Sequence, residues 1–134
     1  MIRRKILSFV CALVWFSQAI LHLLILFGAP LGKLFFGGIY TVFPIWLRPA
    51  NLILLLLWST FAYAYLVYGR VMSAGNFDKK SAIFVKIATL LLGITTLFNF
   101  FVSHSFLEKY VTGGLTALTF LLSLWLLLLS KQNT

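Results

Sequence analysis

Acidic side chains are almost missing from this chain: Asp78 and Glu108 are the only two in 134 residues, against eleven Lys and Arg. Cysteine is scarcer still. Cys11 stands alone, so no intrachain disulfide can form, and a thiol–disulfide oxidoreductase, which needs a cysteine pair, is excluded. Cys11 itself reads as a small buried hydrophobe. Charged residues make up 10% of the chain, where a soluble domain carries about 25%. The sequence also lacks a P-loop, a dinucleotide-binding turn, an H-E-x-x-H helix and a G-x-S-x-G elbow. It has no convincing internal repeat and no low-complexity linker, and reads as one domain, 1–134.

What is present is apolar. Hydrophobic residues are 62% of the chain, more than so small a globule can hide from water, so the bilayer is part of its solvent. In a soluble protein the formal charge of +9 would suggest nucleic acid. Here the basic residues flank apolar runs, where they meet lipid headgroups, and no nucleic-acid partner is expected.

Four runs stand out, at about 6–27, 50–68, 82–102 and 110–129. Each is long enough, at about 1.5 Å per residue, to cross a hydrocarbon core of roughly 30 Å. Backbone groups in lipid must be satisfied within the segment, so the runs should be helices. The expected fold is all-α, an integral membrane four-helix bundle. Arg3-Arg4-Lys5 before the first run resembles the start of a signal peptide, and Ser17-Gln18-Ala19 has the form of a cleavage site. The run continues past that point, so an uncleaved first transmembrane helix is expected.

Counting basic residues sets the expected topology. With both termini cytoplasmic, the inside holds Arg3, Arg4, Lys5, Arg70, Lys79, Lys80, Lys86 and Lys131, and the outside holds Lys33, Arg48 and Lys109. Eight against three is a positive-inside bias. The outer loop between helices one and two, 28–49, is too apolar for a free loop and too rich in Gly and Pro for a span. It should lie along or dip into the interface, with Tyr40 and Trp46 at headgroup depth. Pro30 ends helix one and Pro49 suits the first turn of helix two.

This topology gathers polar residues near the extracytoplasmic face. Gln18 and His22 share one face of helix one, Arg48 and Asn51 open helix two, and Asn99, Ser103, His104, Ser105 and Glu108 surround the turn between helices three and four. Ser105 and Glu108 fit an S-x-x-E capping box, which places Glu108 at the outer edge and leaves no acid at membrane depth. A proton-coupled exporter, which needs such an acid, is therefore disfavoured. Polar side chains inside apolar helices hydrogen-bond across helices, for instance Gln18 or His22 with Asn99, or mark a site. The site reading is a pocket lined by Gln18, His22, Arg48, Asn51, Asn99, Ser103, His104 and Glu108 and covered by the 28–49 loop. It would bind or transport a small polar molecule or lipid headgroup, with Arg48 and the imidazoles favouring an anion.

Two rival readings remain at this point. One is an electron-transfer or sensor protein with a b-type haem held between His22 and His104; otherwise no cofactor is expected. Zinc on His22, His104 and Glu108 lacks any motif spacing, and a serine–histidine pairing of Ser103 or Ser105 with His22 has no signature. The other rival is a structural subunit without chemistry of its own. On helix four, Thr112, Thr116, Thr119 and Ser123 with Gly113 and Ala117 form a small-residue face, suited to packing inside the bundle or to a homo-oligomer or membrane partner.

The stretches H-L-L-I-L-F-G-A-P-L-G-K-L-F-F-G-G at 22–38 and S-H-S-F-L-E-K at 103–109 resemble a family of small bacterial four-helix integral membrane proteins. That family has a first-helix histidine, a G-A-P-x-G turn and an S-x-S-x-x-E-[RK] segment. His22, Gly28, Pro30, Gly32, Ser103, Ser105 and Glu108 match it, while the asparagine stands elsewhere than in its pattern. The resemblance implies a multi-pass protein of a bacterial plasma membrane; it carries no activity with it.

Overall fold

In the computed structural model, which describes residues 1–131, the chain is all-helical. Four long helices follow in order: α1 (Ile2–Leu26), α2 (Arg48–Tyr68), α3 (Phe77–Phe101) and α4 (Gly113–Lys131). All four are long and apolar enough to cross a membrane, α4 together with the turn before it. No strand occurs among the described residues. The helices begin earlier than the apolar runs because charged residues at a membrane interface continue a helix at no desolvation cost: Arg3, Arg4 and Lys5 belong to α1, and Asp78, Lys79 and Lys80 to α3.

The helices run up and down in a ring. α1 packs most extensively on α2 and α3 on α4, and the two hairpins close on each other through α2–α3 and α1–α4. An even number of antiparallel helices puts residues 2 and 131 at the same end. Outward-facing side chains such as Leu13, Phe16, Ile53, Leu56, Leu90, Leu97 and Leu121 are exposed, as expected of surface that meets acyl chains rather than water.

Lipid tails are as apolar as leucine, so burial alone does not hold such helices together; close packing and buried hydrogen bonds do. At the end that holds the start of α1, Arg4 reaches the Tyr68 carbonyl with Nε at 3.1 Å and Nη2 at 2.5 Å. One turn deeper, Ser8 Oγ donates to the Tyr65 carbonyl. A Cβ on Gly69 would overlap the Ser8 side chain, so glycine there lets α1 approach the end of α2. The Tyr65 hydroxyl then bonds Ser123 of α4, which lies 2.5 Å from Thr89 Oγ1 of α3. One polar chain thus joins all four helices at the level of Cys11, which is fully buried. Thr119 and Ser123 are fully buried, so the small-residue face of α4 is used inside the bundle.

α1 ends at Gly28, whose φ of +96° closes a Schellman turn with Ala29 N–H donating to Leu24 O at 3.0 Å. The 28–47 connection then folds as three short 3₁₀ turns, Gly32–Leu34, Phe36–Gly38 and Ile45–Leu47, across the mouth of the bundle. Phe35 and Phe43 plug into a second small core with Ile25, while Ile45 and Trp46 are left 79% and 71% exposed. The loop is therefore a seated cap with an apolar outer rim, fit for the interface.

Candidate intramembrane cavity

The cap is clamped to the α3–α4 turn. Ser105 Oγ donates to the Lys33 carbonyl at 2.6 Å and Thr112 Oγ1 to the Leu34 carbonyl at 2.9 Å, while within the cap Lys33 Nζ donates to the Gly38 carbonyl at 2.8 Å. Gly38, at φ +68°, lies so close to Ser105 that a Cβ would overlap its side chain. Beneath the cap lies a cavity of about 340 Å³. Its walls are mainly apolar and aromatic, with Trp15, Phe35, Trp58, Leu92 and Phe98 among them. Ile94 and Phe98 line it and are also 55% and 39% exposed on the outside of α3. The cavity thus reaches the lateral, lipid-facing side of the bundle.

Its polar residues come from three helices and the turn that precedes α4. His22 is 2% exposed and packs its ring 4.5 Å from that of Phe35. Its Nδ1 lies 2.8 Å from Asn51 Oδ1; with Nδ1–H donating to that oxygen, Nε2 keeps its lone pair. The partner of His22 is therefore Asn51, not the Asn99 considered from the sequence. Asn99 instead lines the cavity, and its Nδ2 has no hydrogen-bond partner.

Glu108 corrects a second expectation. It is 3% exposed and lines the cavity, as a member of the expected pocket, at the first residue of the fourth span; what departs is the capping box. Only half of the capping box forms: Glu108 N–H reaches Ser105 Oγ at 3.4 Å, but the carboxylate turns away and accepts from Ser103 Oγ at 2.6 Å. Ser105 N–H is left to Ser103 Oγ, at 3.2 Å. The cause is a π-helical turn, Glu108–Thr112, closed by Gly113 N–H on the Glu108 carbonyl. The wider turn re-aims the side chains before α4, a device frequent at functional sites. A buried acid therefore faces the cavity at the start of the fourth span.

Gln18 is half-buried and lines the cavity, as expected. Four predicted members, Arg48, Asn51, Ser103 and His104, do not. Arg48 donates Nε to the Phe43 carbonyl at 3.1 Å and lays its guanidinium against Gly28, at the end of α1. Its charge braces the cap instead of facing the cavity. Ser103 acts through Glu108, and Asn51 through His22. His104 is exposed on the turn. With one histidine inside and one outside, a bis-histidine haem site is not assembled, and no group of three His, Cys, Asp or Glu is placed to hold a metal among the described residues.

Several wall residues were beyond sequence reasoning. Trp58, Phe35, Thr95 and Phe98 carry no signal that singles them out among the apolar runs. Among the described residues, the buried side-chain atoms without a hydrogen-bond partner are Trp15 Nε1, Asn51 Nδ2 and Asn99 Nδ2. Asn99 belongs to the cavity wall and Asn51 holds His22, while the Trp15 indole N–H is directed toward the Tyr65 hydroxyl of the polar chain. Buried donors are rarely left unpaired, since each costs about 1–3 kcal/mol.

Compared with protein families, with curated proteins and with solved structures, the chain matches none.

Proposed function

We propose that this chain is a membrane protein that binds an uncharged, oxygen-bearing amphiphile in the cavity beneath its cap. The observation that carries the reading is the buried amide of Asn99, whose Nδ2 has no hydrogen-bond partner, on the wall of a mainly apolar cavity that also holds His22 and Glu108. A hydroxyl or carbonyl oxygen would satisfy that amide, and an O–H would find acceptors in Glu108 and in His22 Nε2. A small polar or anionic ligand, the sequence expectation, fits less well. Arg48 faces elsewhere, His104 is outside, and a carboxylate in the wall repels an anion. The volume suits a head and a few carbons, and a longer tail would leave past Ile94 and Phe98 into the lipid.

The charge count supports an orientation with the cap on the extracytoplasmic face of a plasma membrane. A ligand would then arrive through the outer leaflet, and binding could serve storage, sensing or transfer alike.

The test uses the protein's own tryptophans. In a Trp46→Phe/Trp125→Phe background only Trp15 and Trp58 emit, and both line the cavity. Titration in micelles with a brominated long-chain alcohol should quench them saturably, and more strongly than the matching brominated carboxylate. Thr95→Phe, which fills the cavity, should abolish saturation. Equal, unsaturable quenching by both probes would overturn the reading.

A further inference from the structure

The opposite end of the bundle holds a second concavity of about 610 Å³ with a different chemistry. Arg4 of α1, Arg70 of the α2–α3 turn and Lys79 of α3 all line it, together with Tyr68, Ser73 and Asp78. We propose that this cleft binds a phosphate-type anion at headgroup depth, as the head of an anionic phospholipid or as a soluble phosphate ester.

Three features separate it from the scattered basic charge that any cytoplasmic membrane face carries. First, Arg4 is held in place. Its Nε and Nη2 are spent on the Tyr68 carbonyl, and its guanidinium carbon lies 4.7 Å from the centre of the Tyr68 ring. Such a group has already lost much of the rotamer freedom that binding would otherwise remove. Second, Arg70 occupies a position that normally takes glycine. α2 ends in a Schellman turn, with Arg70 N–H on Val67 O and Val71 N–H on Leu66 O, both at 2.9 Å. Arg70 sits at its left-handed residue with φ +57°, a conformation that costs a non-glycine residue stability. Third, the acid in the cleft is occupied. Asp78 Oδ1 accepts from Ala74 N–H at 2.8 Å and Oδ2 from Ser73 Oγ at 3.0 Å. Both oxygens are turned into the connection, and three cations remain against one engaged carboxylate.

The cleft lies at the end where α1 begins and α2 gives way to α3, with Val67, Val71, Met72 and Ala82 on its apolar side. That pairing suits a lipid, whose phosphate meets the cations while its glycerol and upper acyl carbons meet the valines. It is independent of the cavity under the cap.

The experiment compares two triple variants with the native protein in nanodiscs of phosphatidylcholine with a minority of phosphatidylglycerol, counting retained lipids by native mass spectrometry. Arg4→Gln/Arg70→Gln/Lys79→Gln removes the cleft cations. Arg3→Gln/Lys5→Gln/Lys80→Gln removes the same charge from the same end outside the cleft. Circular dichroism checks that each is folded. Should the first triple not fold, Lys79→Gln alone serves, since the Lys79 side chain is exposed and makes no hydrogen bond among the described residues. Selective retention of phosphatidylglycerol should fall about fivefold per charge removed from the cleft and stay within about twofold in the control triple. Binding of inorganic phosphate by the micellar protein, lost in the cleft variant without any lipid preference in the native one, would assign the site to a soluble phosphate ester. Equal losses in the two triples, or neither lipid selectivity nor phosphate binding in the native protein, would overturn the proposal.

Discussion

The imidazole of His22 and the amide of Asn51 lie 29 positions apart and meet at 2.8 Å inside the bundle, where both side chains are almost wholly buried. This bond joins the cap-side ends of α1 and α2, as the Ser8–Tyr65 bond joins their opposite ends. It also fixes the imidazole so that its second nitrogen is free for chemistry in the cavity.

The pair should be coupled energetically. A double-mutant cycle with His22→Ala and Asn51→Ala should give an interaction of about 0.6–1.7 kcal/mol, the range for interhelical hydrogen bonds in membranes. The measurement is reversible unfolding in mixed micelles. Strict additivity would show that the contact contributes nothing. Asn99→Ala combined with His22→Ala should be nearly additive, since no hydrogen bond joins those residues.

The four spans were legible because lipid imposes a coarse rule: about twenty apolar residues in one helix. The site was legible only in part. His22, Gln18 and Asn99 could be picked out because polar residues are conspicuous in an apolar helix. Which asparagine would face His22 was not, since that depends on how α1 and α2 are rotated against each other. The S-x-x-E pattern of Ser105 and Glu108 predicts a closed capping box, and the carboxylate does not close it. A π-helical turn widens the helix by one residue without a local signature in the sequence, and the carboxylate swings to Ser103. Phe35 and Thr112 join the site through the fold of the cap, which no periodicity predicts.

Ser103 is the sole side chain that hydrogen-bonds the Glu108 carboxylate among the described residues. Ser103→Ala should therefore destabilise the protein by about 1.5–3 kcal/mol, the scale of a hydrogen bond to a charged group. Glu108→Gln keeps the shape and removes the charge, so Ser103→Ala should cost less in that background. Both are read as shifts in the unfolding midpoint. Equal costs in the two backgrounds would mean that the serine serves only its own backbone contact to Ser105.

The cap should be releasable without unfolding the bundle. Gly38→Ala places a methyl group onto Ser105 and forces a left-handed conformation on alanine, together about 1–3 kcal/mol. That strain falls on the clamp between the 33–38 segment and Ser105, not on the helices. Amide hydrogen exchange should rise across 32–47 while α2 and α3 keep their protection. The cavity would lose its lid, and saturable quenching by the brominated alcohol should weaken. Protection lost uniformly along the chain would show that cap and bundle fold as one unit.

Everything about sidedness can be read with one reagent, because the chain's single cysteine is already out of reach. Cys11 is fully buried, so a membrane-impermeant maleimide should leave the native protein unlabelled in intact cells and in inverted vesicles. New cysteines at exposed turns then act as reporters. Ser73→Cys lies in the α2–α3 connection, at the end that holds the start of α1; His104→Cys lies in the α3–α4 turn beside the cap. The up-and-down ring requires these two to label from opposite sides. The excess of basic residues at the α1 end predicts the direction: His104→Cys from outside the cell, Ser73→Cys only from the cytoplasmic face. Labelling of both from one side would break the four-span arrangement. The reverse pattern would keep the bundle but invert it, placing the cap and its cavity toward the cytosol and the phosphate cleft outside.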